Sequence, residues 1–379
     1  MVTAMNLYLS DFRLVRPTLE HQQENILSWV AAAHTQAESS LRTTTFDAPS
    51  FEKELHERLC RIGKGKVKTR GAEHPHIGHT NWEGQKLLNS SIGEKTAVFS
   101  QAVDQFFNLL YPPDDSLPSN LIHVTCTGYL SPSGAQKLVS KRDAGRTTTV
   151  THAYHMGCYA SIPALRIAEG FLAHPKHTGK KDFRADIVHT ELCSLHMDPF
   201  AHSTEQLVIQ SLFGDGCIRY SLSASPSSAS FTLLALKEMT LPNSSEAMKW
   251  QPASWGMQMS LKKEVPLHIA KSIEPALEDL ASEAGLSLSS LQQDAIFAIH
   301  PGGPKIIETI AKCLHLQPHQ YQHTYDVLER YGNMSSATLP HIWAALLKDE
   351  NIPSGTTIVS MAFGPGLTIA ASLMEKQVL

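Results

Sequence analysis

Three observations predict a mixed α/β fold built around a buried sheet. Short, β-branched apolar runs at 121–127, 147–154, 187–193 and 295–299 read as strands covered on both faces. They alternate with helical stretches such as Phe99, Val103, Phe106 and Leu110, whose three- and four-residue spacing makes one apolar face until Pro112-Pro113 stops it. The chain has 379 residues, 42% apolar and 18% charged, enough to bury a substantial core. Sheets of this class carry their sites at strand ends.

In chain order, residues 18–110 read as mostly helical. Strands at 121–127 and 147–154 follow, then a helical segment carrying Ile162, Leu165, Ala168 and Leu172, then a strand at 187–193. After Phe213-Gly214-Asp215-Gly216, a strand at 217–222 gives way to the small-residue connector 223–230. At about 150 residues per domain two halves are expected, and this connector divides them as 1–225 and 226–379. The second half resumes with strands at 231–236 and 295–299 and helices at 304–314 and 335–347. Its end, 356–374, reads as strand, turn, strand, because Gly364-Pro365-Gly366 interrupts an apolar run too short for the ~20-residue helix of a membrane span.

Composition excludes several classes. With Lys+Arg 32 against Asp+Glu 36 the net charge is −4, which argues against binding a nucleic-acid backbone. The first 13 residues have no basic start followed by an apolar core, so no secretory signal is visible and a cytoplasmic protein is expected. Six cysteines without a CxxC pair read as free thiols. No GxSxG, GxxxxGK[ST] or GxGxxG occurs. His74-Pro75-His76-Ile77-Gly78-His79 and the set His315, His319, His323 contain metal-ligand types, but proline breaks their helical spacing, and no metal is expected.

Three positions could carry chemistry. Cys158, in His155-Met156-Gly157-Cys158-Tyr159, follows a β-branched run and precedes a helical segment. It is either a buried structural thiol or a nucleophile whose thiolate is favoured by a helix N-terminus. His300 follows the strand at 295–299 and precedes Pro301-Gly302-Gly303-Pro304, a sharp turn that would hold its imidazole at a strand end. Asn333, in Tyr331-Gly332-Asn333-Met334-Ser335-Ser336, is either a helix cap or a neutral donor to a developing oxyanion. A basic stretch, Arg58, Arg61, Lys64, Lys66, Lys68 and Arg70, is either a solvated loop or a clamp on a phosphorylated small molecule.

Taken together, Thr125-Cys126-Thr127-Gly128-Tyr129, Gly157-Cys158, Leu212-Phe213-Gly214-Asp215-Gly216, Ile299-His300-Pro301-Gly302-Gly303-Pro304, Tyr331 to Ser336 and Phe363-Gly364-Pro365-Gly366-Leu367 resemble, in order, the type III polyketide synthases, the chalcone synthase-like branch of the thiolase superfamily. The resemblance implies a thiolase-like αβαβα fold made of two similar halves, a homodimer, and Cys158, His300 and Asn333 as catalytic triad. It implies that Phe213 is a gatekeeper, and it assigns Ser335, Gly364 and Gly366 to the substrate cavity. Acyl-coenzyme A and malonyl-coenzyme A are the implied substrates, with no separate cofactor, and Arg58 fits the position that holds coenzyme A phosphate.

Glu191-Leu192-Cys193-Ser194-Leu195-His196 places Cys193 and His196 where plant enzymes of the family usually carry threonines. Counting back from Lys263-Glu264-Val265-Pro266 sets Met259 and Trp250 at two further cavity positions. This pattern looks more like bacterial alkylresorcinol and alkylpyrone synthases than plant enzymes, which implies a fatty acyl starter. A ketoacyl synthase III-like enzyme making one condensation, and a catalytically silent acyl-binding protein, are the alternatives.

Overall fold

The computed structural model describes residues 6–42, 45–63, 65–73, 77, 90–174 and 183–379. In chain order its strands are β1 (Leu7–Val15), β2 (Leu19–Gln22), β3 (Thr69–Ala72), β4 (Asn120–Thr125), β5 (Thr149–Tyr154), β6 (Arg184–Leu192), β7 (Asp215–Ser223), β8 (Ala229–Thr240), β9 (Met248–Pro252), β10 (Met257–Leu261), β11 (Ile296–Ile299), β12 (Thr357–Gly364) and β13 (Thr368–Val378). Nine of them form one sheet in the order β11-β12-β13-β8-β1-β7-β6-β4-β5.

Every residue of β4 is buried, because helices cover both of its faces. Helices Ile92–Leu110 and Gly134–Lys141 pack their apolar faces on one side of β4, β6 and β7. On the other side, helices Ser161–Ala173 and Thr338–Lys348 share a core with β4, β6 and β7 and also with β11, β12 and β13. Beyond β11–β13 lie helices Val265–Glu283 and Pro304–Cys313. Two helices are thus enclosed between the two ends of the sheet, with a helical layer outside each end: αβαβα.

Most expected elements are present with shifted ends. The helix read at 335–347 starts at Thr338, behind a 3-10 turn at Ser335–Ala337. The strand read at 187–193 ends at Leu192, and Cys193 opens a 3-10 turn. The strand read at 231–236 runs on to Thr240 to pair along β13. Within 18–110 the helices Gln23–Leu41, Ala48–Gly63 and Ile92–Leu110 are joined by a short β2–β3 ladder that sequence periodicity did not signal. Nor did it signal β1, which lies between β7 and β8. A bulge between Ser10 and Arg13, with Asp11 at φ 54, breaks its alternation. The bulge turns Asp11 and Arg13 toward buried Arg219 and Asp115, which are 3.2 Å apart.

Candidate active site

Cys158 and His300 stand just past the C-terminal ends of β5 and β11, as their sequence context predicts. Cys158 is buried, and its Sγ lies 3.6 Å from Ser335 Oγ. Cys158 precedes the helix Ser161–Ala173 by a full turn of chain, and burial pushes its thiol up to about 12 despite the Ser335 contact. His300 is anchored through its backbone, its N–H donating to Met361 O at 2.8 Å, and burial pulls its imidazole down to about 3. Burial thus favours the neutral form of both groups. Neither ring nitrogen of His300 has a hydrogen-bond partner among the described residues.

Asn333 is fixed to Phe213. Its N–H donates to Leu212 O at 2.7 Å and its carbonyl accepts from Gly214 N–H at 2.9 Å, an isolated parallel bridge. Its Oδ1 accepts the Ser335 N–H at 2.9 Å, while Nδ2 is buried without a partner. Asn333 therefore does not cap the following helix; its oxygen orders the Ser335 turn. Ser335, at φ 49, presents its hydroxyl to Cys158 and, at 3.0 Å, to Cys126 Sγ. It links the cysteine to the asparagine.

Sequence reasoning left Glu191 without a role. It is fully buried, accepts from Thr127 Oγ1 at 2.9 Å and Cys126 N–H at 3.1 Å, and also binds the Ser336 hydroxyl. It clamps the 125–127 loop to the 333–336 turn, and burial raises its pKa. The available signal was a lone acid in the strand segment 187–192, whose other residues carry no acidic or basic side chain apart from His189.

Met259 and Trp250, found by counting along the chain, face each other across the β9–β10 ladder. They line one cavity together with Cys193, His196 and Phe213. Trp250 Nε1 donates to Cys126 O at 2.6 Å, and its ring meets the His196 ring at 88°. His196 accepts the Met257 N–H at Nδ1, so its proton is on Nε2, facing Thr127 O at 2.8 Å. The cavity reaches Ile26, Trp29 and Val30 of the helix Gln23–Leu41.

Ser335, Gly364 and Gly366 do not line this cavity. The 364–366 turn packs instead on the cysteine loop, where a Cβ on Gly364 would meet Tyr159 Cδ1 at 2.2 Å and one on Gly157 would meet Pro365 Cδ at 2.6 Å. Gly364→Ala must push Tyr159 aside. A cost of about 1 to 3 kcal/mol is expected for overpacking of this kind, read as a lowered urea midpoint at constant slope.

Of the basic stretch, Arg58 donates to His202 O at 3.2 Å, Arg61 and Lys66 are exposed, and Lys68 pairs with Glu329 at 2.8 Å. Lys64 lies outside the described residues. Arg70 does not belong to this surface: it is 3% exposed. His74, His76 and His79 also lie outside the described residues. Among the described residues no group of three or more His, Cys, Asp or Glu could hold a metal ion, and His323 is bound to Asp349.

Residues 233–378 match the family described as chalcone and stilbene synthases, C-terminal domain. Probable polyketide synthase 1 of Dictyostelium discoideum is 30% identical over 266 residues, 69% of this chain and 8% of that protein. The alpha-pyrone synthesis polyketide synthase-like Pks18 of Mycobacterium tuberculosis is 29% identical over 262 residues, 67% of this chain and 64% of that protein. The chain thus spans less than two thirds of either relative. The crystal structure of the C-terminal type III polyketide synthase domain of Steely1 from Dictyostelium superposes with a TM-score of 0.83 at 23% identity, over 99% of this chain and 100% of that one. With the αβαβα layering, the ordered motifs and the C-terminal match in agreement, residues 233–378 belong to the family of the chalcone and stilbene synthase C-terminal domain, and the whole chain has the type III polyketide synthase fold.

Proposed function

We propose that the chain extends an acyl-coenzyme A starter with malonyl units by decarboxylative condensation and cyclises the product to a pyrone or resorcinol. The observation that carries this reading is a set of buried polar atoms without a partner among the described residues, His300 Nδ1, His300 Nε2 and Asn333 Nδ2, with Asn333 joined through Ser335 to the buried Cys158. Native proteins rarely leave such groups unpaired unless a ligand uses them.

In this reading Cys158 gives its proton to His300 as its sulfur attacks the starter thioester, and the proton passes to the departing coenzyme A sulfur. Malonyl-coenzyme A then loses carbon dioxide. The resulting enolate oxygen takes hydrogen bonds from Asn333 Nδ2 and His300. The enolate carbon attacks the Cys158 thioester, the sulfur leaves, and the lengthened chain returns to it for the next round. Loss of carbon dioxide supplies the carbon nucleophile, so no further cofactor is needed.

The cavity walled by Phe213, Cys193, His196, Trp250 and Met259 would shelter the chain. A long acyl starter fits a wall of flexible Met259 and small Cys193, and the name of the mycobacterial relative supports a pyrone product. Arg58 is read as a phosphate contact for coenzyme A. No described helix is long and apolar enough to cross a membrane; a cytoplasmic location is part of the proposal and rests on the sequence reading. The chain is read as a homodimer, which the open edge at β5 would serve, and sedimentation equilibrium tests this.

Mass spectrometry of products from a panel of acyl-coenzyme A starters tests the activity. Pyrones or resorcinols bearing several malonyl units are expected; a single condensation would favour a ketoacyl synthase III-like enzyme, and no product a silent acyl-binding protein. Met259→Phe tests the pocket. A rigid ring in place of a flexible chain costs about 1 to 3 kcal/mol where it obstructs, and about 1.4 kcal/mol is tenfold in rate. kcat/KM should fall about tenfold for a long starter and little for a short one; equal losses would assign Met259 to folding.

A further inference from the structure

Arg70, on β3, is a buried cation with no place in the reaction as written so far. Its Nη1 donates to Gln210 O at 2.8 Å and Phe213 O at 2.6 Å. These are carbonyls at the C-terminal end of the helix Thr204–Leu212, where unpaired carbonyls and the negative end of the helix dipole favour a cation. Its stem fills a gap that two glycines leave open: a Cβ on Gly332 would lie 3.0 Å from Arg70 Cδ, and one on Gly214 3.5 Å from Arg70 Cβ. Arg70 therefore stands behind the junction at which Phe213 is bridged to Asn333.

From that junction the contacts run on without a break. Asn333 Oδ1 holds the Ser335 N–H, and Ser335 Oγ reaches Cys158 Sγ. Burial lowers the guanidinium to about 9, so it stays charged at neutral pH, and Asp215 acts on it in the opposite sense. Burying a charge is costly, and an apolar side chain of similar volume would fill the same space without that cost. What it would not do is hold two specific carbonyls.

We propose that Arg70 is a positioning residue, holding the 212–214 and 331–333 segments in register so that Phe213 and the Asn333 amide keep their places for the chemistry. The proposal rests on the reading of Asn333 as a donor to the malonyl-derived enolate.

The test uses the full chain with Arg70→Met and Arg70→Lys, and two measurements: hydrogen exchange along the chain, and kcat and KM for decarboxylation of malonyl-coenzyme A. In Arg70→Met, exchange should rise at 210–216 and 331–336 and not elsewhere, with kcat down at least about tenfold and KM nearly unchanged. Arg70→Lys, which can still donate to one carbonyl, should recover part of kcat and fold even if the methionine variant does not. Exchange that rises throughout the sheet or nowhere, or kcat that stays at the wild-type value in both variants, would overturn the proposal. A wild-type protein that leaves malonyl-coenzyme A intact would instead refute the reading of Asn333, and with it the purpose assigned to Arg70.

Discussion

Cys158→Ala is expected to stop product formation while leaving the fold in place. Alanine fits the space of a side chain that is 8% exposed and whose side-chain hydrogen bond among the described residues is the 3.6 Å approach to Ser335, so the melting temperature should move by only a few degrees. Without the sulfur no acyl chain can be held, and losses for removing a covalent nucleophile run to about 10⁴-fold or more. Cys158→Gln separates the roles further. In the proposed mechanism decarboxylation of malonyl-coenzyme A relies on His300 and Asn333, whose backbone anchors on Met361, Leu212 and Gly214 do not involve residue 158. That variant should therefore still release carbon dioxide. Product formation by the alanine variant would sink the mechanism, and loss of decarboxylation by a folded glutamine variant would sink the division of labour.

What could be read from the sequence and what could not differ for a physical reason. Strands buried on both faces, such as β4 and β11, announce themselves as apolar runs, because the only way to leave water on both sides is to be apolar throughout. β1 is just as central, yet its charges at Asp11 and Arg13 pair with Asp115 and Arg219, contacts about a hundred or more residues away that no local window can contain. The site divides the same way. Cys158, His300 and Asn333 stand in turn motifs with local signatures. Glu191 and Arg70 work only through partners on other segments, and Arg70 looked like surface because its neighbours in sequence, Lys66 and Lys68, are exposed. Met259 and Trp250 were read by counting along the chain, and they pair across the β9–β10 ladder just before the helix Val265–Glu283.

Acidification should unfold the protein well above the carboxylate range, and the cause lies in its core. Five histidines are buried and held neutral by burial: His34 and His341 at about 4, His123, His189 and His300 at about 3. Their native pKa lies below the unfolded value near 6.5, so below pH 6.5 the unfolded chain binds protons that the native chain refuses, and stability falls as pH falls. Asp215, raised to about 7 by burial, works in the opposite sense, being protonated in the native state before it is in the unfolded one, and Glu191 is shifted the same way. The histidines outnumber them. A net uptake on the order of three protons at pH 5 corresponds to roughly 4 kcal/mol of stability lost per pH unit. Against a typical total of about 5–15 kcal/mol, that is enough to unfold the chain between about pH 6 and 4. Urea unfolding at pH 7, 6 and 5 measures the slope; a midpoint that does not move would mean these histidines are not held neutral. The site should fail with the fold. His189 donates to or accepts from Ser336 at 2.9 Å and Tyr220 at 3.0 Å, and Ser336 adjoins the Ser335 that orders Cys158 and Asn333. Protonating His189 forces a donor onto both partners inside the buried core, so loss of activity and loss of stability should follow one pH curve.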